Sequence, residues 1–404
     1  MSSSLGLELK ARREAAGLTQ KEVAERLGVA RPTLAQWEGD KHRPKPDHLS
    51  KLDDLYGARG ELISLARNEP PSAGAVRPGR PRFVADIFRD VADALVAALI
   101  VDDTGRPLGW KRNLSERTAP PTALSTAFVV RTLQLLDEAR VDLHSMADFF
   151  ERRASPAGWS YSTGASERPE VTAILLAALS RLGRLTNVDE ALVQLDNSID
   201  RLAESRPYIL AVVLESVLAI RPDSPLASRL VRNLLETRIP YGDHLLWTMD
   251  ASADPGLVLP SQAHTARATS VLRLARPTHD QAEIDEAIAM SVEWMMSIQK
   301  ADDSTIEILP PAPNDHAVGV PIHHFTAAWT IRAMAGVEGV PAPRLQAALD
   351  VVWESYSPSA GLWVWRADGT LPSWMTLDAV SALRLMAEVS LLTPISASDD
   401  GDNS

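Results

Sequence analysis

The chain has 404 residues, of which 45% are hydrophobic and 23% charged, with a formal net charge of −12 and no cysteine. This is enough apolar sequence for a sizeable core and too much length for one ordinary domain, so a small domain plus a large one is expected. The absence of cysteine excludes a disulfide framework, a thiolate nucleophile and a cysteine-ligated zinc. No apolar run reaches the ~18 residues of a membrane span, and MSSSLGLELKARREAAG turns charged too early for a secretory signal. A cytoplasmic location is expected.

The negative charge is unevenly spread. Residues 5–68 carry 12 Lys+Arg against 10 Asp+Glu, a balance of +2, whereas the rest carries −14. An acidic body behind a mildly basic head would repel a polyanion everywhere except at the head, which favours orientation more than affinity.

Residues 1–68 read as a bundle of short helices. Thr19 is a good N-cap, and Glu22 three residues on completes a capping box. Val23, Ala24 and Leu27 give helix two an apolar face, Gly28 permits a tight turn, and Val29 plugs the core beneath it. Leu34 and Trp37 bury the back of helix three, leaving Arg31, Thr33 and Gln36 on its front. The stretch Leu18–Gly57 closely resembles the Cro/λ-repressor-like, XRE-type helix-turn-helix domains. That resemblance implies five helices, double-stranded DNA as partner, and helix three entering the major groove. Gln36 then pairs with adenine, Arg31 with guanine or phosphate, and Thr33 with a thymine methyl or phosphate. Thr19 and Gln20 open helix two, where the family contacts the backbone, and Lys41 and Arg43 follow helix three at phosphate distance. One departure is Ala30 at the N-cap of helix three, which forgoes a cap worth ~1 kcal/mol although Pro32 suits a first turn.

Residues 69–82 are rich in Pro, Gly and Ala and are expected to be an extended linker, with Arg77, Arg80 and Arg82 near its end. From residue 83 to 392 the chain repeats. A Thr-Ala-like helix start, usually preceded by Pro, appears at Thr126, Thr172, Thr265, Thr326 and Thr376, with a degenerate copy at Ala211. Six units spaced by 39 to 61 residues signal stacked helical pairs. Between the helices of a pair lie turns such as Gly109-Trp110, Gly158-Trp159, Leu246-Trp247 and Gly361-Leu362-Trp363. This combination resembles the α/α-toroid of terpenoid cyclases and protein prenyltransferase β subunits, with Trp110, Trp159, Trp247 and Trp363 matching the tryptophan of their repeat. The fold expected is therefore all-α: a helix-turn-helix domain, then a toroid of about six helical hairpins. Residues 393–404, SASDDGDNS at their end, contain no core-forming pattern and are expected to be disordered.

The activities of those enzymes do not transfer. There is no Asp-x-Asp-Asp acid, no Asp-Asp-x-x-Asp run and no cysteine for a zinc site. An enzyme of that kind would have to rely on Asp250, Asp254 or Asp378. His264, His323 and His324 sit at the mouths of inner helices and, with Asp315 or His316, offer metal-binding groups. Without tight ligand spacing, though, helix-start hydrogen bonding is the reading adopted, and neither metal nor cofactor is expected. Thr at the helix starts reads as capping chemistry. Six inner helices converging at one end nevertheless make a concave site. Its expected lining is Trp159, Thr172, His264, His323, His324, Thr326, Thr376 and Asp378. The expected occupant is a small hydrophobic ligand or a protein partner. The loop 301–320 joins outer to inner helix at this end, either as a lid over the cavity or as a passive surface loop. The whole reads as a regulator whose toroid senses a ligand or docks a partner, acting as a homodimer. A DNA-tethered cyclase-like enzyme and a DNA-anchored scaffold are the alternatives.

Overall fold

A computed structural model of the protein describes residues 5–16, 18–39, 42, 44–56, 62, 84–116, 118–161, 165–199, 201–253, 258–279, 281–298, 301, 305–311, 319–366 and 368–392. The chain divides into two compact units, Met1–Arg80 and Pro81–Ser404. The expected linker and tail, 69–82 and 393–404, lie outside the described residues.

The first unit contains α1 (Leu5–Ala15), α2 (Gln20–Leu27), α3 (Arg31–Glu38) and α4 (Pro46–Leu55). Thr19 and Glu22 form the reciprocal capping box, and Gly28 ends α2 at φ 69°, a left-handed conformation open to glycine without penalty. Helix α3 starts without a side-chain cap at Ala30, as its sequence implies, and relies on a Pro in its first turn. Leu5, Leu9, Val23, Leu27, Leu34, Trp37 and Leu52 close one core. The region expected to hold a fifth helix lies outside the described residues except for Leu62, which is buried and whose backbone N–H donates to Asp53 at 3.0 Å.

The second unit alternates outer and inner helices. Outer helices are α5 (Val84–Ala97), α7 (Ser145–Arg153), α9 (Val188–Ser198), α12 (Pro225–Glu236), α14 (Gln281–Ser297) and α16 (Ala342–Ser355). Inner helices are α6 (Ala123–Leu135), α8 (Pro169–Arg181), α11 (Pro207–Ile220), α13 (Gln262–Ala275), α15 (Thr326–Met334) and α17 (Ser373–Leu392); α10 (Arg201–Glu204) is a single turn before α11. Each inner helix packs on the next, and α17 packs back on α6, which closes a ring. The seam is tied by backbone as well: Leu114 N–H donates to the Leu371 carbonyl at 2.9 Å, and Leu371 N–H to Asn113 Oδ1 at 2.9 Å. The ring is an α/α toroid.

Sequence explains the two layers. In α11 every residue from Ile209 to Val217 is buried, as befits a helix enclosed on all sides. In α12 only Leu226, Ala227, Leu230, Val231, Leu234 and Leu235 are buried, one stripe at helical spacing. Proline at the first turn of α8, α11 and α12 costs nothing there, because that N–H has no intrahelical acceptor.

The turns between outer and inner helices carry a recurring joint. The indole N–H of Trp110, Trp159, Trp247 and Trp363 donates to a carbonyl near the end of the preceding outer helix, those of Leu95, Phe150, Leu234 and Val352. Each tryptophan thus gives a donor to a carbonyl in the last turn, where the helix supplies no N–H of its own. In three units the Trp backbone N–H also donates to a threonine hydroxyl, Thr126, Thr172 or Thr265, at 3.0, 3.0 and 3.3 Å. Capping was the expected role of these threonines, and that expectation is corrected: the N-cap side chains are Thr122 and Ser261, while Thr126, Thr172 and Thr265 lie four residues further on and hold the Trp turn.

Among the described residues, four small antiparallel hairpins interrupt the helical pattern: β1 (Ile100–Val101) with β2 (Pro107–Gly109), β3 (Ile239–Tyr241) with β4 (His244–Leu246), β5 (Ile306–Leu309) with β6 (Val320–His323), and β7 (Tyr356–Ser357) with β8 (Leu362–Trp363). The third corrects the expected loop over 301–320, whose flanks are strands.

Candidate functional site

On the first unit the front of α3 is open. Arg31 and Gln36 are exposed and Thr33 is half-buried, while Leu34 and Trp37 are buried behind them at 0% and 5% exposure. Docking of α3 rests on a buried ion pair, Arg13 Nε to Glu38 Oε1 at 2.6 Å, with a second guanidinium contact to Oε2 at 3.0 Å. Gln20 adds to it, its amide donating to Glu38 Oε2 at 3.0 Å, so this side chain is engaged inside the domain. Thr19 is exposed, and its hydroxyl is bonded to the Glu22 carboxylate at 2.8 Å. Lys41 and Arg43 lie outside the described residues.

On the second unit all six inner helices line one central cavity. Its walls are apolar at Ala127, Phe128, Ile174, Val212 and Leu377, and its floor is charged. One Glu215 oxygen accepts from Arg131 at 2.7 Å and from Arg332 at 2.8 Å, and the other forms an ion pair with Arg267 at 2.5 Å. Burial would raise the Glu215 carboxyl, but Arg267, Arg332 and Arg131 hold it well below its ordinary value. Arg267 also lies over the Trp329 ring, 4.9 Å from its centre. Arg181 faces the same cavity and has no ion pair among the described residues; burial, then the charge of Arg131, lowers its pKa to about 10. Asp378 stands 3.9 Å from Arg267, with its carboxyl raised by burial against the pull of Arg267 and Arg332. Arg131, Arg181, Arg267 and Arg332, with Arg112 also on the lining, therefore face two carboxylates.

Of the residues expected to line this space, His323 and Asp378 do so. Trp159 and Thr172 are committed to the turn joint, and Thr326 and Thr376 are buried in the walls. His264 and His324 lie deeper, beside a residue that sequence reading missed. Glu307 on β5 is fully buried, its Oε2 3.0 Å from His264 Nε2 and 3.5 Å from His324 Nε2. Burial works against its charge, but the bond to His264 and the nearby His324 imidazole bring its pKa down to about 2; burial lowers His324 to about 4. The other Glu307 oxygen faces Arg206 at 3.6 Å, and Arg206 is shared with Asp250 at 2.7 Å. Asp254, Asp315 and His316 lie outside the described residues.

A polar-fronted third helix on a capped second helix defines the N-terminal unit as a helix-turn-helix domain, and a closed double ring of helices defines the second as an α/α toroid. Residues 4–66 match the profile of a family described as a helix-turn-helix domain. Over 66 residues the chain is 47% identical to the HTH-type transcriptional regulator ImmR of Bacillus subtilis (strain 168), a match covering 16% of this chain and 51% of that regulator. The chain thus spans about half the length of this relative. Among solved structures, ent-copalyl diphosphate synthase from Streptomyces platensis is similar at 17% identity and TM-score 0.43, over 66% of this chain and 50% of that one. The GH76A α-1,6-mannanase from Salegentibacter sp. HEL1_6 is similar at 12% identity and TM-score 0.46, over 76% and 99%. The type II terpene cyclase MstE from Scytonema is similar at 15% identity and TM-score 0.45, over 76% and 99%.

Proposed function

We propose that this chain is a sequence-specific, DNA-binding transcriptional regulator whose toroid binds a small anionic ligand. The observation that carries the first half is the outward set of Arg31, Thr33 and Gln36 on α3, with Leu34 and Trp37 anchoring the helix from behind. The helix-turn-helix profile over residues 4–66 and the likeness to a transcriptional regulator support it. A single head of this kind holds a few base pairs, so specific control calls for a homodimer on a two-fold operator. The cytoplasm is the location such a role requires.

The second half rests on charge. A cavity in which Arg131, Arg181, Arg267 and Arg332 outnumber Glu215 and Asp378 favours a negatively charged group, and Phe128, Ile174 and Val212 favour an apolar body attached to it. This differs from the small hydrophobic ligand or protein partner that the sequence suggests. Gel-shift titration against the DNA flanking the protein's own gene tests the first half. Saturable binding that survives excess random DNA is expected, and equal affinity for both at low salt refutes it. Native mass spectrometry of the purified protein tests the second, with an acidic small molecule expected to travel with the folded chain.

A further inference from the structure

The buried group of His264, Glu307 and His324 lies apart from the charged floor of the cavity, and nothing in the regulator reading accounts for it. Three separate elements deliver it. His264 is in the first turn of α13, where its backbone N–H and ring Nδ1 both face the Ser261 hydroxyl, at 3.4 and 2.8 Å. Glu307 pairs with Ile322 in the β5–β6 register, so both face the same side, and His324 follows two residues later on that side. The hairpin inverts the usual strand preference: Ile306 and Ile308 are 45% and 54% exposed, whereas Glu307 between them is fully buried. A strand that turns two isoleucines to the outside and a carboxylate to the inside has that carboxylate in its interior for a reason other than packing.

His264 can be satisfied within the protein, bonded to Ser261 on one nitrogen and Glu307 on the other. His324 cannot. It is 0% exposed, a neutral imidazole always carries one N–H, and neither ring nitrogen has a hydrogen-bond partner among the described residues. Its Nε2 nonetheless points at the same Glu307 oxygen as His264 does. The ligand atoms of the three residues all lie within 4.8 Å of one another. Adjacent ligands of a tetrahedral ion with ~2.05 Å bonds stand ~3.3 Å apart, and the two nitrogen–oxygen separations are 3.0 and 3.5 Å. Arg206 stands 3.6 Å from the far oxygen of Glu307, and Oε2 is the oxygen that both imidazoles face.

From this geometry we infer that His264, Glu307 and His324 form a binding site for a divalent first-row transition ion, with zinc the best fit to two imidazoles and one carboxylate in a tetrahedral frame. Ser261 orients His264 as an outer partner. The ion ties the β5–β6 hairpin to the starts of α13 and α15. Because the rings of Tyr208 and Trp329 pack on His324 at 5.4 and 5.2 Å, and both line the cavity, the bound ion also fixes part of the cavity wall.

The test uses the full-length protein, stripped with a chelator and desalted. Zn(II) is titrated against a competing chromophoric chelator, and metal retained after a second desalting is measured by mass spectrometry. One tightly held equivalent is expected, with a rise in melting temperature of about 4 °C at a hundredfold excess over Kd. Cobalt(II) should give the intense visible bands of a tetrahedral site. Glu307→Gln and His324→Ala should lose more affinity than the ~10–100-fold typical of a residue that only orients a ligand, Ser261→Ala should fall in that range, and His323→Ala should keep the metal. Wild-type protein that takes up no stoichiometric zinc and melts at the same temperature with and without it overturns the site, as does equal retention by Glu307→Gln. The wild-type titration decides the matter even where a variant fails to fold.

Discussion

Gly158 lies directly beneath Thr172: a Cβ built on this glycine would stand 2.3 Å from the threonine Oγ1, and the glycine φ is +125°. Gly109 and Thr126 repeat the relationship at the same 2.3 Å. Gly158→Ala combines a clash with a buried side chain and a backbone conformation that costs an L-residue ~1–3 kcal/mol. A loss of at least ~2 kcal/mol is expected in urea unfolding followed by circular dichroism. Thr172→Val keeps the shape but strands the Trp159 N–H, and should cost ~1–3 kcal/mol. A neutral result for both would mean the joint is incidental to toroid stability.

Glu215 should be the most sensitive charge in the toroid. Its side chain is 3% exposed and holds Arg131, Arg267 and Arg332 together. Glu215→Gln leaves three guanidinium groups without their counter-charge and is expected to cost ~3–5 kcal/mol.

The same residue predicts a pH dependence. Its folded pKa lies well below the ordinary 4.5, so its stabilisation is fully present above that value and is lost as pH falls through the folded pKa. Urea midpoints measured downward from neutral pH should show the gap between wild type and Glu215→Gln hold steady to about pH 4.5 and then narrow. A gap that widens on acidification would reverse the assignment.

For the head, Gln36→Ala should relax base preference by ~1–3 kcal/mol at one position of the operator. Arg43, which follows the recognition helix in sequence, should behave differently: Arg43→Ala should weaken binding to all sequences and lower the salt slope by ~1. Competition gel shifts over a mutated-operator set separate the two. A change of base preference in the Arg43 variant would place that residue among the base readers instead.

Arg181 carries the prediction for the cavity. It has no ion pair among the described residues and faces the lumen, so an aromatic sulfonate such as anilinonaphthalene sulfonate should bind there with its anionic end on this group. Arg181→Ala should weaken that binding about tenfold, or ~1.4 kcal/mol, in a fluorescence titration, with Arg181→Lys intermediate.

Much of this architecture can be read from local spacing. The capping box at Thr19 and Glu22, the turn at Gly28 and the buried pair Leu34 and Trp37 sit within twenty residues, so the head is legible from one window of sequence. The repeated Trp and Thr mark the toroid because each unit solves the same joint with the same groups. The charged cavity floor is not legible in this way. Arg131, Arg181, Glu215, Arg267 and Arg332 come from five different inner helices, and only closure of the ring brings them together. Glu307 lies in a stretch that reads as a loop, and only the β5 strand, with Ile306 and Ile308 outward, turns its carboxylate inward.

The bond from Leu371 to Asn113 spans 258 positions, and α17 must arrive before α6 has a neighbour on its open side. During synthesis the growing arc therefore carries a bare apolar flank until α17 has been made. Such long-range closure slows folding and leaves a sticky intermediate, so production of this protein should depend on chaperones more than its helical content suggests.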